Sequence, residues 1–229
     1  NSTVFKIKLF KMYSRLLLQE RDYQSLENFL FESYNEFLKE NAFNRSNHNE
    51  KLTLLTYLSN SLYKNKKYKE SLRYSEELLN GMKEYDSFIY DKYLFYYYNL
   101  QVLNYAQTDT KKALDYLNKA SKSEDIKKLP SYNVFIYLNR SLIYYYEGNY
   151  KESQKNIARL ICQEDFLLLD KSFQLKILVT ELMIRILDSN KNLKAKIKDI
   201  QENFKQLLLE DNHVREQKMI NLISNKINK

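Results

Sequence analysis

The sequence predicts an all-α protein made of antiparallel helix hairpins that stack into an array. Three observations support this prediction: a pattern that recurs about every forty residues, long stretches with helical apolar spacing, and few residues that break helices. Self-similarity at such a period is typical of helical-repeat proteins, in which each hairpin buries its apolar face against the next one.

The recurring pattern is a short polar turn followed by the start of a helix. Its anchor positions are Tyr23, Tyr68, Thr110 and Tyr150, and a weaker fifth copy lies at Asn192. Each copy stands between two stretches with apolar residues at i, i+3, i+4 and i+7, which is the spacing of one helix face. We therefore expect about five hairpins.

Helical spacing also gives the extent of each hairpin. The predicted hairpins cover approximately residues 4–40, 51–83, 87–121, 131–162 and 170–209. An amphipathic helix over 214–227 is expected to cap the array, because the last repeat of a solenoid needs a polar outer face. The polar segment 121–130 holds the only proline and is expected to be a loop. We expect residues 1–229 to form a single domain.

Composition agrees with long helices and short turns. The 229 residues include only two glycines and one proline, which is too few for the tight turns of a sheet-rich fold. Gly148 is placed to end a helix in the left-handed conformation. The 21 Tyr and 12 Phe supply apolar area that disordered chains lack.

The charge pattern bears on the class of partner. The net charge is +8, but the 37 basic and 29 acidic residues are interleaved rather than gathered into blocks. This favours a solvated lysine-rich surface over a nucleic-acid or membrane partner. No stretch reaches the roughly 20 apolar residues of a membrane span. The first residues lack both methionine and a signal-peptide core, so we expect a fragment of a longer protein or a mature form, with a cytoplasmic location.

Residues that could carry chemistry are sparse. The single cysteine, Cys162, lies in an apolar helical stretch and is expected to be a buried, inert thiol. His48 and His213 fall in polar segments and are expected to be exposed loop residues. The sequence has no glycine-rich phosphate loop, nucleophile elbow or HExxH motif. We therefore expect a protein that is not an enzyme and that needs neither a cofactor nor a metal.

The second and fourth hairpins resemble the tetratricopeptide repeat. In that family the second helix of a hairpin starts with an aromatic residue and has a small residue three positions later. Tyr68 with Ser71 and Tyr150 with Ser153 match this pattern, and Ser59 and Ser141 match the small position of the first helix. The resemblance implies a right-handed α–α superhelix, with the serines at close helix crossings. The tail 171–229 also resembles the C-terminal end of large bacterial repeat proteins.

The other hairpins match the repeat more loosely. Gln101 stands at a usual small position, Thr110 at the aromatic position, and Asn104 where an aromatic residue is usual. Arg140 stands where the family has Leu, so we expect it either to reach solvent or to meet an acidic group or a ligand anion.

The resemblance also implies a concave groove lined by the first helix of each hairpin. The implied groove residues are Thr56, Asn60, Tyr63 and Lys64 in the second hairpin, Phe95, Tyr98, Val102 and Tyr105 in the third, and Phe135, Leu138, Leu142 and Tyr145 in the fourth. The alternative for the aromatic residues is that they fill the core, since most aromatic side chains of such a chain must be buried.

These observations favour an interaction scaffold that binds a peptide or a partner helix in the groove. A peptide-sensing regulatory domain of a bacterial transcriptional regulator is a second hypothesis, and a nucleic-acid-binding helical array is a third. Apolar end faces of the array would also allow self-association. Salt dependence distinguishes these cases, because phosphate contacts weaken steeply with added salt.

Overall fold

The computed structural model describes residues 3–187 and 193–227, and within these ranges every regular element is a helix. The prediction of an all-helical fold is therefore confirmed. The contacts between residues divide the chain into two compact units, 1–127 and 128–229. The assignment of a single domain stays a prediction.

The N-terminal unit consists of three helix hairpins followed by one extra helical turn. Its helices are α1 Thr3–Glu20, α2 Tyr23–Lys39, α3 His48–Lys64, α4 Tyr68–Met82, α5 Tyr90–Thr108, α6 Thr110–Lys122 and α7 Glu124–Lys127. These helices overlap the hairpins predicted over 4–40, 51–83 and 87–121, with ends that differ by a few residues.

The turn α7 corrects the expectation that residues 121–130 form a loop throughout. Ile126 is buried, and the Ser123 hydroxyl accepts a hydrogen bond from the Ile126 backbone N–H over 3.5 Å. A capping serine followed by one apolar side chain that packs inward is enough to form a single helical turn.

The C-terminal unit continues with hairpins and ends on a long helix. A π-helical turn, Val134–Leu138, leads directly into α8. The helices are α8 Asn139–Tyr146, α9 Tyr150–Ile161, α10 Glu164–Leu168, α11 Lys171–Leu187, α12 Leu193–Asn203 and α13 Val214–Ile227. The predicted capping helix agrees with α13 at both ends, whereas the helix predicted up to residue 209 ends at Asn203. The predicted turn 188–190 and the fifth copy at Asn192 lie outside the described residues.

Side-chain caps start helices at three of the four recurring turns, whereas the N-cap of α4, Lys67, makes no side-chain cap. Asp22, Asp109 and Asn149 each accept a hydrogen bond from the backbone N–H three residues later, over 3.0, 3.1 and 3.2 Å. Such N-caps satisfy one of the free N–H groups at the start of a helix. The capping residue of α6 is therefore Asp109.

The predicted small positions lie at close helix crossings in both units. The Ser71 hydroxyl donates to the Ser59 carbonyl over 2.7 Å. Ser141 and Ser153 each donate to the other's carbonyl over 2.8 Å. All four side chains are fully buried. Small hydroxyl groups let the two helices of a hairpin approach closely while every hydroxyl keeps a partner, which confirms the role predicted for these serines.

The departures from the repeat pattern in α5 form a buried polar contact with α4. The Asn104 amide donates to the Ser71 hydroxyl over 2.9 Å. The Gln101 amide donates to the Ser75 hydroxyl over 2.8 Å and to the Glu76 carboxylate over 2.7 Å. The amide N–H groups of both residues thus have partners on α4, whereas Gln101 Oε1 and Asn104 Oδ1 have no hydrogen-bond partner among the described residues.

A buried carboxylate joins α11 to α12 in the C-terminal unit. The Glu181 side chain is 1% exposed, and its Oε1 accepts from Arg185 Nε over 2.8 Å. The Lys196 ammonium group contacts the other carboxylate oxygen. A buried carboxylate held by two cations is costly to leave unpaired, so this cluster ties the two helices together.

Three expectations about single residues are wrong. Cys162 is exposed, because α9 ends at Ile161 and the cysteine follows as the C-cap. His48 and His213 are buried, at 1% and 3% exposure. The polar sequence around each histidine hides the fact that His48 lies in the first turn of α3 and that His213 lies in a 3₁₀ turn, Asp211–His213, that packs against α13.

Among the described residues, no helix has the length and apolar content of a membrane span.

Candidate functional site

The C-terminal unit has an apolar pocket bordered by α8, α11 and α13. Its volume is about 240 Å³. It is lined by Tyr145, Met183, Ile186, Leu187, Met219, Leu222, Ile223 and Lys226. Apart from the tyrosine hydroxyl and the lysine, every lining side chain is apolar, so the pocket suits an apolar side chain of a ligand.

A second pocket adjoins the first one between α11 and α13. It measures about 370 Å³ and is lined by Lys176, Val179, Thr180, Met183, Arg215, Glu216 and Met219. Met183 and Met219 line both pockets. We call the combined feature the α11–α13 groove; it is apolar at the Tyr145 end and charged at the Glu216 end.

The amphipathic pattern of α13 explains how the groove forms. Ile220 and Ile223 are buried in the core cluster with Leu182 of α11. Met219 lies at the edge of that cluster, and Leu222 is 64% exposed. Because the inward stripe of α13 is narrow, the apolar residues beside it are left along the opening between the helices.

The charged end of the groove carries charges of both signs. Glu216 is largely buried, and its Oε2 is shielded from solvent and lies 3.5 Å from Nδ1 of His213. Lys176 and Arg215 are exposed at the same end. The two exposed cations can therefore pair with a carboxylate of a ligand.

Tyr145 is the predicted groove residue that lines this feature. It is half-buried, and its ring centroid lies 5.8 Å from that of Tyr150. Leu138 is also half-buried, but it packs against the core cluster that contains Ile157 and Ile177. Arg140 is half-buried on α8. The binding roles of all three residues stay predictions.

The predicted residues of the second hairpin lie in the N-terminal unit, on the last two turns of α3. Asn60 and Tyr63 are half-buried, and Lys64 is exposed. The Lys64 ammonium group lies 5.8 Å from the ring centroids of both Tyr23 and Tyr63. These cation–π contacts hold the lysine beside the start of α2 and the end of α3.

Tyr98 and Tyr105 belong to an aromatic cluster between α5 and α6. The Tyr105 ring stacks on Tyr116 with the centroids 5.4 Å apart, and Lys112 lies 5.4 Å from the Tyr105 centroid. Burial raises the pKa of both Tyr98 and Tyr105. The half-buried rings pack within their own hairpin, which is the packing expected of the core alternative, and their binding role stays a prediction.

Three further residues implied for the groove are in the core. Thr56, Val102 and Phe135 are 7%, 0% and 5% exposed, so they do not line an open surface. Thr56 instead donates its hydroxyl to the Leu52 carbonyl of its own helix. Phe95 and Leu142 are half-buried. These three residues thus lie on helical segments that the resemblance assigned to the groove, but on faces that pack into the core.

Most of the α11–α13 groove was missed by the sequence analysis. Met183, Ile186 and Leu222 have the composition and spacing of ordinary core residues, so nothing in the sequence distinguishes them. One signal was present in α13, where Leu222 lies outside the apolar stripe of Met219, Ile220, Ile223 and Ile227.

Comparison with known proteins shows a likeness in structure alone. No protein-family model and no curated protein matches the chain. The chain is similar to the crystal structure of Bacillus thuringiensis PlcR in complex with the peptide PapR7 and DNA. The TM-score is 0.65 at 17% sequence identity, over 96% of this chain and 76% of the PlcR chain. At that identity the likeness shows a shared helical fold, which agrees with the repeat-like hairpins.

Proposed function

We propose that this domain is a non-enzymatic binding module whose α11–α13 groove holds a short peptide or one face of a partner helix. The observation that carries the proposal is the pair of adjoining pockets that share Met183 and Met219. An apolar recess beside a few convergent polar groups is the usual form of a ligand site.

The chemistry of the groove suits a peptide with apolar side chains and one polar or charged end. Flexible methionine side chains adapt to ligands of different shape, so they contribute contact area without a strict sequence requirement. The Glu216 carboxylate and the neighbouring Arg215 would pair with backbone or terminal groups of the peptide.

A peptide-sensing regulatory domain is the second candidate. The observation that favours it is the likeness to PlcR, whose structure was determined with a peptide and with DNA. Both candidates require a peptide in the groove, and they differ only in what the binding event controls. This second candidate also proposes that the chain is bacterial and that it is one domain of a larger protein.

An array of random heptapeptides tests peptide binding. We expect the purified domain to retain a subset of peptides enriched in Leu, Ile, Phe and Met. Leu222→Glu places a charge at the apolar end of the groove, and Leu222 is exposed enough for the change to leave the fold intact. This variant should weaken the retained peptides roughly tenfold or more. Leu168→Glu, at an 84% exposed position on α10, is the matched control and should bind as the wild type does.

Two results would contradict the placement of the site. Equal binding by Leu222→Glu and wild type would show that the peptides lie elsewhere. Loss of binding in Asn60→Ala/Lys64→Ala, with Leu222→Glu unaffected, would move the site to the α3 residues that the repeat resemblance implied. Retention of no peptide by the wild type would reject the peptide-binding function itself.

A further inference from the structure

The first helix carries a second apolar stripe on the side opposite to its core contacts. Phe10, Ser14 and Leu17 of α1 are buried in the N-terminal unit. The outward stripe consists of Phe5, Leu9, Met12 and Leu16, which are 56%, 43%, 68% and 47% exposed. A contiguous exposed apolar stripe of this kind marks a candidate contact surface.

The outward stripe has the spacing of a coiled-coil seam. Its members follow each other at intervals of four, three and four residues, which places Phe5 and Met12 at d positions and Leu9 and Leu16 at a positions of a heptad. Val4 and Tyr13 of α1 are also exposed, at 62% and 39%, and they lie outside the a and d positions. The four stripe residues themselves follow the spacing of a helix–helix seam, which is narrower than the apolar face of a helix that lies on a membrane surface. The pattern therefore favours another helix as the occupant.

The charges beside the stripe indicate which helix that is. In this register Lys8 and Arg15 fall at g positions, and Tyr13 and Glu20 fall at e positions. In a parallel pair, a g residue meets the e residue of the following heptad on the other helix. Arg15 would thus meet Glu20 of a second copy, and Lys8 would meet the ring of Tyr13, a cation–π pair.

The charged members of these pairs are available for the contact. All three residues Lys8, Arg15 and Glu20 are exposed, and among the described residues none of them forms an ion pair. By contrast, Lys6, which falls at an e position, and Lys11, which falls at a c position, already pair with Glu36 and Glu50. An antiparallel pair would bring g residues against g residues, so Lys8 and Arg15 would face like charges.

We propose that the stripe of α1 binds a second copy of this chain as a parallel two-stranded coiled coil with two-fold symmetry. The same patch on both copies makes the contact self-complementary and closed. Because α1 is already folded against α2, no helix has to be ordered when the copies associate, which compensates for the short length of the seam. This surface is separate from the α11–α13 groove.

Sedimentation velocity over a wide range of protein concentration tests the proposal. We expect the wild type to show a monomer–dimer equilibrium. Leu9→Glu/Leu16→Glu should abolish the dimer, because it places charges along both halves of the seam. Leu168→Glu, an exposed position on α10 of the C-terminal unit, should leave the dimer unchanged. Circular dichroism checks that each variant stays helical.

A charge exchange tests the parallel orientation. Glu20→Arg should raise the dissociation constant of the dimer about tenfold, since two attractive pairs become repulsive. Arg15→Glu/Glu20→Arg should restore the wild-type constant. A monomer at every concentration, or a dimer that survives Leu9→Glu/Leu16→Glu, overturns the proposal. A double exchange that fails to restore the dimer overturns the parallel register.

Discussion

At the residue scale, buried polar side chains explain the departures from the repeat pattern. Asn104 and Gln101 look like defects in the sequence, because they stand where the family has an aromatic and a small residue. In the structure each amide is paired with a hydroxyl of α4. A substitution in one helix is thus matched by a hydroxyl in its neighbour, and the pairing is visible only after the helices are packed.

Ser71 is the centre of this network, and its loss should destabilise the protein. Its hydroxyl donates to the Ser59 carbonyl and accepts from Asn104. Ser71→Ala leaves a buried carbonyl and a buried amide hydrogen without their partner, which should lower the free energy of unfolding by about 1–3 kcal/mol. Urea denaturation measures this change. Ser131→Ala, at an exposed position, should stay within about 0.5 kcal/mol of the wild type, and equal stabilities of the two variants would contradict the role of the network.

His48 should make stability depend on pH. Burial, the largest cause, holds the pKa of His48 below its ordinary value of 6.5, with the nearby Lys51 acting in the same direction and Glu84 opposing it. At a pH between the pKa of His48 in the folded chain and its pKa in the unfolded chain, the unfolded chain binds a proton that the folded chain does not. The contribution of His48 is therefore complete above about pH 6.5 and is lost as the pH falls toward the lower, folded value.

The measurement compares the wild type with His48→Leu by urea denaturation between pH 7.5 and pH 5. The wild type should lose more stability than the variant over this range, because leucine has no proton to bind. A variant with the same loss as the wild type would show that other groups carry the pH dependence.

At the element scale, one kind of helix ending recurs at three of the hairpin turns. At Arg21, Lys66 and Gly148 the residue after the C-cap is left-handed, with φ of 57°, 62° and 74°. At each turn the next N–H bonds a carbonyl five residues earlier, for example Asn149 to Tyr144 over 2.9 Å. This is the Schellman arrangement, in which glycine is the preferred residue. At these three positions, the repeated sequence pattern therefore coincides with a repeated backbone turn.

Substitutions at two of these turns should change the free energy of unfolding in opposite directions. Gly148→Ala should destabilise the protein by about 1 kcal/mol, since a Cβ makes the left-handed conformation unfavourable although there is space around it. Lys66→Gly should stabilise the protein by up to about 1 kcal/mol for the converse reason. Thermal or urea unfolding of the two variants measures the difference. Destabilisation by Lys66→Gly would mean that its side chain matters more than its backbone.

At the scale of the whole molecule, the net charge of +8 includes lysines of the N-terminal unit that are paired with carboxylates. Several lysines are paired with carboxylates, among them Lys6 with Glu36, Lys51 with Glu84 and Lys67 with Glu27. Paired lysines contribute little to phosphate binding. The basic and acidic residues that alternate along the sequence are thus also neighbours in the folded structure at these pairs.

We predict weak and strongly salt-dependent binding to nucleic acid. Fluorescence anisotropy with a labelled 30-nucleotide single strand should give a dissociation constant in the non-specific range of about 10⁻⁴–10⁻⁶ M at physiological salt. Heptapeptide binding in the groove should change much less with salt, because its apolar end does not depend on counterions. Tight, salt-resistant binding of the strand would favour the nucleic-acid hypothesis instead.

The sequence by itself determined the helices, their hairpin pairing and the small residues at the crossings, because apolar periodicity, caps and turn residues are local properties of the chain. Only the tertiary structure decided which faces are open. Val102 and Phe135 were expected in a groove and are in the core, while Met183 and Leu222 line one. An apolar side chain suits a core and a groove equally well, and the choice between them is made by the neighbouring helices rather than by the residue itself.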